Sequence, residues 1–147
     1  LGTEAFVTNT ATVSGTGITP VTAAETVNAE AAPNLAITKS VSPVPVTENG
    51  TLTYTFRIQN YGSVAATNTT GVVITDTFAP VLNNLTAALN GTAWTAATDY
   101  TYNEATGTFS STAGAITVPA ATYTQDSTTG AWVVTPGEST LVITGTV

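Results

Sequence analysis

Between Thr51 and Asn60 the chain reads TLTYTFRIQN, and every second residue is apolar: Leu52, Tyr54, Phe56 and Ile58 alternate with Thr51, Thr53, Thr55 and Arg57. Successive side chains of a β-strand point to opposite faces, so this period of two buries one face and wets the other. The same rhythm recurs in shorter runs along the chain. Gly and Pro interrupt it too regularly for a long helix to form. Thr and Val supply much of it, and their branched Cβ suits a pleated surface better than a helix. Runs at this spacing predict roughly nine to eleven short strands, which favours a sandwich. The expected fold class is all-β.

At the start, Ala5 and Val7, then Ala11 and Val13, alternate with threonines and Asn9 until Gly15, Gly17 and Pro20 break the run. A weaker alternation follows from Val21 to Ala29. The stretch from Glu30 to Asn34, with Pro33, reads as a linker. NLAITKSV then sets Leu35, Ile37 and Lys39 on one face, and Pro43 and Pro45 stiffen the connection to TLTYTFRIQN. Further strands are expected at Thr70–Phe78, closed by Pro80, and at Asn84–Asn90, where Asn90-Gly91 is a strong turn signal. In the middle segment, YNEATGTF reads as a hairpin. Short strands are also expected at Ala115–Val118 and at Thr122–Gln125, the latter paired with Gly130–Thr135 across DSTTG. STLVITGTV ends the chain in a strand.

With 147 residues the chain is long enough to bury a core without staples. Lys39 and Arg57 are its two cations against nine acids, a formal charge of -7. A nucleic-acid partner needs Lys or Arg to neutralise phosphates, so that class is excluded. Cysteine and histidine are both absent. That removes disulfides, thiolate metal sites and the commonest proton carrier near neutral pH. Asp76, Asp99, Glu104, Asp126 and Glu138 are scattered, mostly in turns, without the clustering of a carboxylate pair built for catalysis. No enzyme activity, cofactor or metal is expected. No run reaches membrane-spanning length, so no membrane insertion is expected of this segment.

The segment NLAITKSVSPVPVTENGTLTYTFRIQNYGSVAATNTTGVVITDTF resembles the opening of the prokaryotic surface repeat known as domain of unknown function 11. PGESTLVITGTV resembles its penultimate strand. The resemblance implies an immunoglobulin-like β-sandwich, here with extra hairpins in the middle segment, and a place in a large, tandemly repeated protein of the cell envelope. It supplies no catalytic residues. In that family a strand similar to VTNTATVSG finishes the domain; here it stands ahead of the domain, at Thr8–Gly15.

Three parts follow: a donor-type β-strand at residues 1–15, a connector with a short strand at 16–33, and a sandwich lacking its final strand at 34–147. An incomplete sandwich leaves unpaired N–H and C=O groups beside uncovered core, and such an edge templates another strand. Ala5, Val7, Ala11 and Val13 are spaced to fill its pockets. The expected function is a structural subunit or repeat of a bacterial surface protein or extracellular filament. It would be joined head to tail to other copies or adjacent repeats, outside the cell. Whether the strand completes its own body or a neighbour's stays open at this stage.

Two further features each carry two readings. Lys39 falls in phase with the core face of its strand; it either reaches its ammonium into water or belongs with Asn9 and Asp76. The latter set is similar to the isopeptide-forming triads of Gram-positive adhesins and pilins. Trp94, Tyr100 and Trp132, in the middle segment, either fill core or present a ligand-contact face. The second choice would make the chain a ligand- or carbohydrate-binding adhesin domain.

Overall fold

This computed structural model describes residues 6–28 and 31–147. Apart from one turn of 3-10 helix at Asn68–Thr70, the regular structure of those residues is all β. The strands are β1 (Phe6–Gly15), β2 (Ile18–Asn28), β3 (Leu35–Ser42), β4 (Thr51–Asn60), β5 (Thr75–Thr77) and β6 (Asn83–Leu89). They continue with β7 (Thr92–Ala93), β8 (Tyr100–Asn103), β9 (Thr108–Ser111), β10 (Thr122–Gln125), β11 (Trp132–Thr135) and β12 (Gly137–Thr146).

Five of them form one antiparallel sheet in the order β3-β4-β12-β6-β7, and three form a second in the order β5-β9-β8. The long central pair explains the register of the first sheet. β4 and β12 run side by side from Thr51↔Thr146 to Asn60↔Gly137, so Phe56 lies opposite Leu141 and Tyr54 opposite Ile143. Leu52, Tyr54, Phe56, Ile58, Ala87, Leu89, Leu141 and Ile143 thereby present one continuous buried face. Tyr100 and Phe109 meet it from the second sheet, with Phe78, Leu82, Ile116 and Val118 from adjoining loops. The rings interlock: Tyr54 and Phe78 lie 4.7 Å apart, Phe78 and Phe109 6.3 Å, Tyr100 and Phe109 5.3 Å. Two sheets around one aromatic-rich core are the sandwich that the alternating pattern predicts.

Some expected strands are shorter than the pattern suggested. Of Thr70–Phe78 only Thr75–Thr77 is strand, because the 3-10 turn ends at Gly71 in the left-handed region, with φ 70°. Ala115–Val118 contributes a single bridge, Val118 to Ala66. The middle hairpins form as expected: β8 pairs β9, and β10 pairs β11.

The larger departure is at the start. β2 lies within the stretch expected to be mostly connector, and it pairs with β1 from Phe6↔Asn28 to Gly15↔Ile18. The weak alternation of Val21, Ala23 and Glu25 is a full strand once a partner of matching pattern lies beside it. β1 and β2 make a two-stranded sheet of their own.

The β10–β11 turn carries a pH-sensitive feature. The Asp126 carboxylate accepts hydrogen bonds from the backbone N–H groups of Thr128 and Thr129, both at 2.8 Å, which holds its carboxyl below its usual value. Glu138 is likewise held low, chiefly by its hydrogen bond from Arg57 at 2.5 Å. A carboxyl whose folded value is depressed contributes stability above its unfolded value, near about 4. That contribution is lost as pH falls through the folded value. The urea midpoint is therefore expected to hold from neutral pH down to about 5 and to fall below that, with a shallower fall in Asp126→Asn. A midpoint that rises on acidification contradicts this.

Candidate functional site

On β3 the sandwich is left open. Its residues pair with β4 so that Leu35 faces Asn60, Ile37 faces Ile58, Lys39 faces Phe56 and Val41 faces Tyr54. Directly opposed residues of an antiparallel pair share a face, so Leu35, Ile37, Lys39 and Val41 extend the core face of β4. Yet Ile58 is 3% exposed while Ile37 is 52% exposed, and Leu35 and Val41 are 38% and 39% exposed. The first sheet reaches one strand further than the second, and among the described residues nothing lies over the overhang. Sequence phase assigns Leu35 and Ile37 to the core; the structure gives them the right face but no cover.

Beside the overhang lies β5, the outermost strand of the second sheet, which among the described residues pairs with β9 alone. Asp76 stands opposite Phe109 in that pair, and Phe109 is fully buried, so Asp76 points inward. Its Oδ2 forms an ion pair with Lys39 Nζ, bridging the two sheets at the open mouth. The ammonium also lies over three rings, 4.8 Å from the centroid of Tyr54, 5.3 Å from Phe78 and 5.4 Å from Phe56. Its aliphatic stem covers core while its head remains partly wet. Lys39 and Asp76, named together from the sequence, are thus in contact.

Asn9, the third member of that set, is on β1, opposite Glu25 of β2. It is exposed, as are Ala11 and Val13, and within the described residues β1 pairs with β2 alone. Ala11 pairs with Ala23 and Val13 with Val21, so one face of the hairpin carries Asn9, Ala11, Val13, Val21, Ala23 and Glu25. Val13 and Val21 are exposed. Val7 pairs with Val27 in the same register, and Ala5 lies outside the described residues. The sequence reading did not include the β2 half of this face; the alternation of Val21 and Ala23 was its signal.

Asn60, another amide near the strand ends, is fully buried and committed elsewhere. Its Oδ1 accepts from the N–H groups of Asn34 and Gly62, and its Nδ2 donates to the carbonyls of Val64 and Pro119. All four bonding positions of the amide are filled.

The middle-segment aromatics do not come together as one exposed face. Tyr100 is buried, and Trp94, half-buried, stacks on it with centroids 6.5 Å apart. Trp132 is 62% exposed on β11, in the separate two-stranded sheet with β10. Among the described residues no three acids converge as metal ligands, and no helix is long and apolar enough to cross a membrane.

In comparisons with protein-family models, curated proteins and solved structures, no match to this chain was found.

Proposed function

We propose that the chain is a structural subunit or repeat of a bacterial surface protein or extracellular filament, joined head to tail by β-complementation and without enzymatic activity. One observation carries this reading: an uncovered core face on β3, beside the unpaired edge of β5, in a chain whose first two strands form a hairpin attached to neither sheet. In an immunoglobulin-like order, one sheet runs A-B-E-D and the other C-F-G. The order β3-β4-β12-β6 follows the first arrangement, with β5 in the position of C. What is then lacking is a final strand beside β5 that would roof β3, and β1, presented on the β1–β2 hairpin, is a candidate to supply it.

A neighbouring copy as the source of the hairpin accounts for both loose ends of the structure at once. Each copy then offers one hairpin and one groove. That is a heterologous contact, which grows a fibre unless a ring closes it. The reading shares its expected envelope location with the surface-repeat resemblance, and threonine-rich strands with few lysines suit exposure outside the cell. An adhesin role retains only Trp132, Val133 and Val134, exposed along β11, as a candidate contact surface.

Light scattering and electron microscopy across a range of protein concentrations test the proposal. The whole chain is expected to form multimers or fibres that grow with concentration, and a chain lacking residues 1–28 to form none. A whole chain that stays monomeric throughout, or assembly untouched by the deletion, overturns it.

A further inference from the structure

We infer that Asp76, held in place by Lys39, guards the free edge of β5 and makes strand docking there selective. The inference rests on the proposed complementation at this edge and concerns how that step is controlled.

The ladder between β5 and β9 fixes which backbone groups face outward. Phe78 N–H donates to the Gly107 carbonyl and Ser111 N–H to the Ile74 carbonyl, both at 2.9 Å. Both bonds extend the register that sets Asp76 opposite Phe109. Hydrogen-bonded and non-hydrogen-bonded pairs alternate along an antiparallel ladder, so Ile74, Asp76 and Phe78 turn their backbone groups toward β9. Thr75 and Thr77 turn theirs the other way, to the side where an added strand would pair.

The outward N–H of Thr77 is already taken. It donates to Asp76 Oδ1 at 2.9 Å, while Oδ2 of the same carboxylate holds the Lys39 ammonium. Thr75 N–H, which points the same way, has no such cap among the described residues. One carboxylate thus closes the edge of β5 with one oxygen and ties it to β3 with the other. Lys39 is itself confined, its ammonium 4.8 Å from the ring centroid of Tyr54, 5.4 Å from Phe56 and 5.3 Å from Phe78. The Asp76 side chain is only 18% exposed, so it is less free to swing into water than a carboxylate on an open strand. β5 is also short, at three residues. Very short edge strands and inward-pointing charges are devices by which β proteins discourage pairing at an edge.

An incoming strand must take Thr77 N–H from a carboxylate, and hydrogen bonds to charged groups are the stronger kind. Backbone pairing along so short an edge returns little beyond that loss. A strand that also lays apolar side chains over Leu35, Ile37 and Val41 gains their burial, and only such a strand displaces the guard at a net gain. Asp76 keeps its second oxygen on Lys39 meanwhile, so no charge is left unpaired beneath the roof.

Amide hydrogen exchange on the dissociated chain and assembly followed by light scattering test this in the native chain, Asp76→Glu and Lys39→Met. Asp76→Glu keeps a charge for Lys39 but sets its oxygens a methylene too far out to cap the next N–H. Lys39→Met keeps a stem over the rings and releases the carboxylate. In the native chain, Thr77 N–H should exchange about tenfold or more slower than Thr75 N–H, the factor that one charge-assisted hydrogen bond supplies. Both substitutions should narrow that gap and speed assembly by about tenfold. Equal exchange at Thr75 and Thr77 in the native chain overturns the guard and leaves the proposed function standing. So do substituted chains that assemble no faster than the native one. Native and substituted chains that all stay monomeric overturn the inference together with the proposal beneath it.

Discussion

Ile58→Ala is expected to destabilise the dissociated chain by about 2–5 kcal/mol, the range for emptying a packed core site. Ile37→Ala is expected to change it by no more than about 0.5 kcal/mol, as at an ordinary surface position. The two isoleucines face each other across one rung of the β3–β4 ladder, on the same side of the sheet. What separates them is cover: Ile58 lies beneath the second sheet and Ile37 beyond its edge. Urea unfolding of the monomer measures both costs. The order should change on assembly. If a neighbour's hairpin roofs β3, Ile37→Ala removes buried methyl groups from the joint, and dissociation should become easier by about 1 kcal/mol or more. Equal costs in the dissociated chain would mean that β3 is roofed without help, and the open mouth would not exist.

Asn60→Ala is expected to cost about 3 kcal/mol or more. The side chain is fully buried, and it ties Asn34 at the entry to β3, Gly62 and Val64 in the loop after β4, and Pro119 ahead of β10. Removing the amide leaves two N–H groups and two carbonyls short of a partner at one point. The loops are packed too tightly there for repair by small shifts. A Cβ placed on Gly62 would meet the Ala32 carbonyl oxygen at 2.1 Å. The denaturant midpoint should fall with its slope unchanged, since the same surface unfolds. A loss under about 1 kcal/mol would show that water takes over the four bonds.

Strand type and the main core were legible in the sequence because a strand's faces repeat every two residues. TLTYTFRIQN and STLVITGTV name their buried rows from that rule alone, and the structure sets those rows opposite each other. Turn chemistry was equally local: Asn90-Gly91 and YNEATGTF stand between paired strands as read. Strand length was less legible. In Thr70–Phe78 the residues carry β propensity throughout, and a local 3-10 turn ending at Gly71 takes the first part.

Of the candidate site, composition and phase singled out Lys39, and Asp76 was set beside it, as one of two readings, by the likeness to isopeptide-forming triads. The pair meets through a non-local contact between two sheets. Asn9 was placed on an alternating strand; that its partner is β2 depends on the match between two weak patterns, each unremarkable by itself. The aromatics divide for a similar reason. Trp94 and Tyr100 share a core position that the β8–β9 hairpin makes for them, whereas Trp132 is carried away on another hairpin.

The amino-acid order by itself determined an all-β chain with two cations, no histidine and no cysteine, and it marked which side of each long strand is apolar. Alternation states a side chain's face but not what stands opposite that face. Only the tertiary structure decided that the first sheet outreaches the second, leaving the apolar row of β3 without a lid among the described residues. Cover is a property of two sheets and their relative widths, and no single strand encodes it.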